Sequence, residues 1–116
     1  MPMPRNDHTV SVTTKENGNS VNLHPGDLLE VTLPATLGTG FSWRVRSGAE
    51  AVLRLKGKPV VKKPQDANNQ VGAAEYQVFQ FEVIASGSVK LELEYVRPWE
   101  RDVAPAKTYL LTILVN

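Results

Sequence analysis

The sequence predicts an all-β protein that folds as an antiparallel β-sandwich of about seven to eight strands. Apolar and polar side chains alternate with a period of two along most of the chain, as they do in half-buried strands. Glycine, proline and asparagine interrupt this alternation and predict turns. No stretch carries the 3.6-residue periodicity of a long amphipathic helix. Short strands separated by frequent turns are typical of a sandwich.

The first part of the chain contains two predicted strands, at residues 9–14 and 28–33, each with alternating apolar side chains. The dipeptide Asn-Gly at 17–18 and the run Pro-Gly-Asp at 25–27 are typical of tight turns. Residues 20–24, which lie between these turns, are predicted to form a short extended piece.

The second part of the chain contains the remaining strands. Trp43 occupies an inward-facing position and is predicted to be the core tryptophan between the two sheets. Pro98, which has no N–H to donate to a neighbouring strand, is predicted to stop the most regular run of alternation. The strands are predicted at residues 41–46, 52–56, 75–84, 88–96 and 107–115, and the second of these continues at 60–61 after a break.

The length of 116 residues suits one domain, which we expect at residues 9–116 behind a flexible N-terminal tail at residues 1–8. The formal net charge is +1 and both signs are interspersed, so neither a nucleic acid nor an anionic membrane is the expected partner. The protein is expected to be a monomer.

Cysteine is absent, which excludes disulfides and thiol chemistry. Residues 1–8 lack the apolar core of a signal peptide, and no apolar run approaches the ~20 residues that span a bilayer. The chain as it stands is therefore expected to be soluble and cytoplasmic, or periplasmic or secreted if a signal has been removed.

The sequence does not suggest an enzyme. His8 and His24 lie in the tail and beside a turn, without the nucleophile and acid that would complete a catalytic set. Asp7 and Asp27 lie near them, but the spacing is not that of a metal site, so no metal or cofactor is expected. The lysines between residues 56 and 63 have no interleaved aromatic residues and are interpreted as a charged face or as protection of a sheet edge.

Three predicted connections are long, and they are named here the 34–40, 64–74 and 97–106 loops. If successive strands alternate in direction, these loops share one end of the sandwich, and the short connections at 47–50 and 85–87 share the other. Long loops gathered at one end favour a binding surface. The alternative is that loop length varies freely, because it carries a low thermodynamic cost.

Within the 34–40 loop, Gly38 and Gly40 allow a close approach of the backbone to a partner. Leu37 and Thr39 are predicted to project from the tip of this loop, although an ordinary glycine-containing turn would explain the same residues. In the 64–74 loop, small residues predict a tip that adapts to a partner or is merely disordered.

Arg97-Pro98-Trp99 opens the 97–106 loop where a strand has just ended. Arginine and tryptophan dominate interface energetics, so the tripeptide predicts a binding anchor. The alternative is that Trp99 folds back as a lid over the core, and the tripeptide alone leaves both interpretations open.

The three loops carry three motifs: Thr-Leu-Gly-Thr-Gly-Phe-Ser-Trp at 36–43, Gly-Ala-Ala-Glu at 72–75 and Arg-Pro-Trp at 97–99. In their order and spacing these resemble the loop motifs of the chagasin family of inhibitors of papain-type cysteine peptidases, over about residues 9–116. The first family motif is Asn-Pro-Thr-Thr-Gly, an aromatic, any residue and Trp, and here its leading Asn-Pro-Thr is absent. The second is Gly-x-Gly-Gly, of which only the first glycine is kept. The third, Arg-Pro-Trp, is complete.

The resemblance implies an immunoglobulin-like sandwich that inhibits papain- or cathepsin-L-like peptidases reversibly, non-covalently and competitively. It implies that Thr39 enters the active site near the catalytic cysteine, while the 64–74 loop and Arg97 with Trp99 hold the flanks of the cleft. The alternative is a non-inhibitory binding or adhesion module for carbohydrate or protein that uses the same loop end. The residues implied to contact the peptidase are Leu37, Gly38, Thr39, Gly40, Phe41, Gly72, Ala73, Ala74, Glu75, Arg97, Pro98 and Trp99.

Overall fold

The computed structural model describes residues 8–63 and 75–116, and in these ranges it contains nine strands and two short 3-10 turns. The predicted β-sandwich is confirmed: the strands form two sheets, in the orders β1-β3-β7-β5, with β6 also paired to β7, and β2-β9-β8-β4. The strands are β1 (Thr9–Val12), β2 (Ser20–Leu23), β3 (Leu28–Ala35), β4 (Ser42–Val45), β5 (Leu53–Leu55), β6 (Val60–Lys62), β7 (Glu75–Val83), β8 (Gly87–Val96) and β9 (Lys107–Val115).

The core lies between the two sheets and is built from the inward-facing positions of the alternating strands. β3 buries every second residue, and β9 does the same. Trp43 is buried between the sheets, as predicted. Tyr109 is the largest fully buried side chain, and its hydroxyl donates a hydrogen bond to the Thr13 carbonyl at 2.8 Å. The period of two in the sequence therefore becomes one buried face on each sheet.

Most strand pairs are antiparallel, as predicted, but two pairs are parallel. β1 pairs in parallel with β3, and β2 pairs in parallel with β9. The predicted strand at 9–14 ends early, because Thr13 and Glu16 form a capping box that starts a 3-10 turn. The chain then crosses from one sheet to the other, so the Asn-Gly turn at 17–18 does not join two paired strands.

Two other predicted boundaries also differ. The predicted strand at 52–56 with its continuation at 60–61 is two separate strands, β5 and β6, each paired with β7. Of the predicted tail, residues 1–7 lie outside the described residues, whereas the His8 carbonyl accepts a hydrogen bond from the Leu28 N–H at 3.0 Å.

The turn before β3 is organised by Asp27, whose side chain is buried. Its Oδ2 accepts a hydrogen bond from the His24 N–H at 2.9 Å, and the imidazoles of His8 and His24 lie beside it. Over residues 8–63 and 75–116, no group of His, Cys, Asp and Glu side chains is arranged to hold a metal ion. Nor does this part of the chain form a helix of the length and apolarity needed to cross a membrane.

Candidate functional site

The strands carry the three long loops to one end of the sandwich. Ala35, the last residue of β3, pairs with Glu75, the first residue of β7, so the 64–74 loop leaves the same end as the 34–40 loop. In the other sheet, Ser42 pairs with Val96, so the 34–40 and 97–106 loops are also neighbours. The predicted clustering is therefore confirmed for the flanking residues of all three loops.

The residues on either side of the 64–74 loop locate it at this end. Gly72, Ala73 and Ala74, predicted to contact a partner, lie outside the described residues. Glu75 is half-buried at the start of β7.

The 34–40 loop is held in one shape by its own hydrogen bonds. Leu37–Thr39 forms a 3-10 turn, which Gly40 ends in a left-handed conformation with φ of 88°. The Thr39 N–H and hydroxyl both donate to the Thr36 carbonyl, at 3.1 and 2.6 Å. The Thr39 hydroxyl is thus turned toward the loop, and the Thr39 residue remains exposed at the tip.

Leu37 does not project from the tip, so that prediction was wrong. Its side chain is half-buried and packs against the hydrophobic core. Half-burial of a leucine side chain against apolar neighbours is worth about 1 kcal/mol, which the 3-10 turn allows by directing this residue inward. The exposed residues of the turn are instead Gly38 and Thr39.

Arg97 links two of the loops. Its Nε donates a hydrogen bond to the Thr39 carbonyl at 3.1 Å, and its guanidinium lies 4.3 Å from the centroid of the Phe41 ring. Its Nη1 also lies 3.6 Å from the Glu100 carboxylate in the same loop. A planar cation that stacks on an aromatic ring and donates sideways at the same time is a geometry that arginine alone provides.

Trp99 is 67% exposed, so it is not a lid over the core. The edge of its indole lies against Gly40: a Cβ added at Gly40 would collide with the ring, 3.0 Å from Cζ2 and 3.1 Å from Cζ3. Glycine at this position therefore serves two purposes, the positive φ and the close approach of the ring. The 34–40 loop thus lies against one edge of an indole that is otherwise largely open to solvent.

Two buried polar residues that the sequence analysis missed support this end. The Tyr95 hydroxyl accepts a hydrogen bond from the Thr36 N–H at 2.8 Å, and its ring stacks on Phe41 with centroids 5.1 Å apart. Gln77 reaches from the opposite sheet, and its Oε1 accepts a hydrogen bond from the Trp43 backbone N–H at 2.7 Å. In the sequence, each of these residues is a polar group at an inward position of an alternating strand. Such a position indicates a buried hydrogen bond, because a buried polar group needs a partner.

The site presents a rigid, exposed surface made of small residues and one large aromatic ring. Gly38 and Thr39 form a narrow tip, and the Trp99 indole stands beside it. Because hydrogen bonds and ring contacts already hold both loops, binding a partner there would require little further ordering. Such a surface is suited to recognition of another molecule.

Comparisons with known proteins agree with this geometry. Residues 22–113 match the family described as "Chagasin family peptidase inhibitor I42". The chain is 31% identical over 93 residues to chagasin of Trypanosoma cruzi, covering 76% of this chain and 81% of that protein. A cysteine protease inhibitor from Entamoeba histolytica has the same fold, with a TM-score of 0.84 at 20% identity, covering 96% of this chain and 98% of that one. PbICP-C, solved in complex with falcipain-2, has a TM-score of 0.59 at 17% identity, covering 100% and 95%.

Proposed function

Because this chain belongs to the chagasin family of peptidase inhibitors, we propose that it inhibits papain-family cysteine peptidases reversibly, non-covalently and competitively. The protein is an inhibitor and not an enzyme. The observation that best supports the proposal is the joining of the 34–40 and 97–106 loops by Arg97, which holds the tip and the Trp99 indole in one rigid wedge. PbICP-C, which has the same fold, binds falcipain-2 in its solved complex.

In this proposal the 34–40 loop enters the active-site cleft. Gly38 and Thr39 are small enough for a narrow slot, and the backbone around them is already ordered by the bonds to Thr36. Thr39 is the residue placed nearest the catalytic cysteine. Because no bond to the cysteine is formed or broken, the inhibitor dissociates unchanged.

Trp99 is proposed to anchor the wedge on one flank of the cleft. Its exposed indole offers a large apolar surface, and an interface tryptophan of this kind is worth about 2 kcal/mol or more when buried. Residues 72–74, followed by Glu75, are proposed to contact the opposite flank. The complete interface would cover about 800 Å² on each partner, the usual size for a protease and its inhibitor.

The proposal is tested by titrating the protein against a panel of papain- and cathepsin-L-like peptidases. We expect inhibition that raises the apparent KM for a peptide substrate and leaves kcat unchanged. A reversible ligand that occupies the active site should compete with the protein in a binding assay. Absence of inhibition across the panel at micromolar protein contradicts the proposal, and binding that an active-site ligand does not disturb favours the non-inhibitory binding module instead.

A further inference from the structure

Four lysines lie within eight residues at the edge of the first sheet, and none of them is needed for the wedge. They lie on β6 and in the segments just before and after it, and together with Val60 and Val61 they form what we call the lysine patch. All of these residues are exposed, and the two valines are 49% and 48% exposed. The lysines of the patch are Lys56, Lys58, Lys62 and Lys63.

Within residues 8–63 and 75–116, none of these lysines forms an ion pair with a carboxylate. The arginines that face the carboxylates of the sheets behave differently: Arg44 pairs with Glu94, Arg54 with Glu82 and Arg97 with Glu100. Paired charges largely cancel at a distance, whereas four neighbouring unpaired cations produce a positive potential that extends into solvent. In a chain whose net charge is +1, this patch is therefore a local concentration of positive charge.

Strand register places the patch beside the candidate site. Lys62 of β6 is opposite Tyr76 of β7, and Tyr76 is opposite Pro34 of β3. Pro34 is one residue from the end of β3, and its carbonyl accepts a hydrogen bond from the Trp43 indole at 2.9 Å. Lys62 therefore lies in one of the last rows of its sheet before the loop end, whereas Trp99 belongs to a loop of the other sheet.

We propose that the lysine patch is a second contact surface that steers the inhibitor onto peptidases whose cleft is bordered by carboxylates. This inference rests on the proposed function. Opposite charges on two proteins accelerate their encounter and orient it, and this effect acts mainly on the association rate. A protein partner is favoured over a nucleic acid or another polyanion, because Val60, Val61 and Tyr76 add apolar surface among the cations. A polyanion would leave that surface exposed.

The experiment compares two variants that each lose two positive charges. Lys62→Gln/Lys63→Gln removes the lysines nearest the loops, and Lys15→Gln/Lys90→Gln removes two exposed lysines outside the patch. Both take the formal net charge from +1 to −1. Association and dissociation rates are measured by stopped flow against two peptidases that the wild type inhibits, one with an acidic and one with a basic cleft border, at low and at high salt.

For the acidic peptidase at low salt, we expect the patch variant to associate about tenfold more slowly, with its dissociation rate within about twofold of wild type. The control variant should associate much faster than the patch variant. In about 0.5 M salt the difference should disappear, because the charges are screened within a few ångströms. With the basic peptidase, the patch variant should associate no more slowly than wild type.

Equal association rates for the patch and control variants overturn this inference while leaving the proposed function intact. A wild-type protein that inhibits no peptidase overturns the proposed function, and the inference fails with it. Binding to heparin or to a DNA oligonucleotide is measured in parallel. If the patch variant loses this binding but keeps the wild-type association rate, the patch is a polyanion site and the inference is wrong.

Discussion

Arg97 binds Thr39 across the loop end: the Nε of Arg97 donates to the Thr39 carbonyl at 3.1 Å, while the guanidinium stacks on Phe41. These residues are 58 positions apart in the chain. The tip proposed to enter the peptidase cleft is therefore positioned by the loop proposed to hold its flank. Variants of Arg97 should affect the tip even though Arg97 is not part of it.

Arg97→Lys is expected to weaken inhibition by about tenfold, because an ammonium group does not stack flat on Phe41 and donate sideways to Thr39 at the same time. The measurement is the inhibition constant against a peptidase that the wild type inhibits. Arg54→Lys is the matched control, since Arg54 pairs with Glu82, which lies on β7 opposite the first residue of β3 and so at the far end from the loops. A lysine variant at position 97 with the wild-type inhibition constant would show that the stacked geometry is unimportant.

Trp99→Ala is expected to weaken inhibition by at least about tenfold, which corresponds to 1.4 kcal/mol of lost anchor contact. The melting temperature should stay near the wild-type value, because the indole is 67% exposed. Val103→Ala, at an exposed apolar position of the same loop, is the control and should have little effect on either quantity. A large loss of stability with unchanged inhibition would argue that the indole serves folding and not binding.

Gly40→Ala is expected to destabilise the protein more than Gly18→Ala does. Both glycines have nearly the same φ, 88° and 85°, so alanine should cost about 1 kcal/mol at either position from backbone strain alone. A Cβ at Gly18 meets open space, whereas one at Gly40 meets the Trp99 ring. The additional loss of stability at Gly40 is measured by urea unfolding. The alanine should also displace the indole and therefore weaken inhibition, which is measured as the inhibition constant.

The double variant Gly40→Ala/Trp99→Ala tests the origin of that added effect. Removing the indole removes the obstacle, so the cost of Gly40→Ala in the Trp99→Ala background should fall to the level seen for Gly18→Ala. An undiminished cost in that background would mean that the ring contact does not matter.

Stability is expected to decrease in alkaline solution because of Tyr109. Burial, with the nearby charge of Glu16 as a smaller cause, raises the pKa of the Tyr109 phenol to about 12. The unfolded chain loses this proton near pH 10 and the folded protein does not, so the folded state is fully stabilised below about pH 10 and loses that contribution as the pH rises toward 12. The free energy of unfolding should fall by roughly 1 kcal/mol between about pH 9.5 and 11.

The measurement is urea unfolding at a series of alkaline pH values, with tyrosinate absorbance recorded on the folded protein. Tyr109→Phe is the control: it loses the hydrogen bond to Thr13 but also removes this titration, so its stability should depend less on pH in the same range. Equal slopes for the wild type and Tyr109→Phe would exclude Tyr109 as the cause.

Much of the site was predictable, and the errors have physical causes. Arg97-Pro98-Trp99 could be placed at the loop end, because Pro98 cannot continue the strand. Leu37 was placed wrongly, because a loop residue's direction depends on whether a nearby core surface can accept it. The parallel pairings of β1 and β2 were missed, because a period of two determines which face is buried and not which neighbour a strand pairs with.

By itself, the sequence determined the sandwich and the approximate positions of most strands, because alternation and turn residues are local properties. The order of the predicted strands also placed the long loops at one end, provided that successive strands alternate in direction. Only the tertiary structure decided that Trp99 lies open on Gly40, that Arg97 holds Thr39, and that Tyr95 and Gln77 secure the backbone beneath them. These contacts join residues far apart in the chain. They depend on how the two sheets pack against each other, which local patterns in a sequence do not encode.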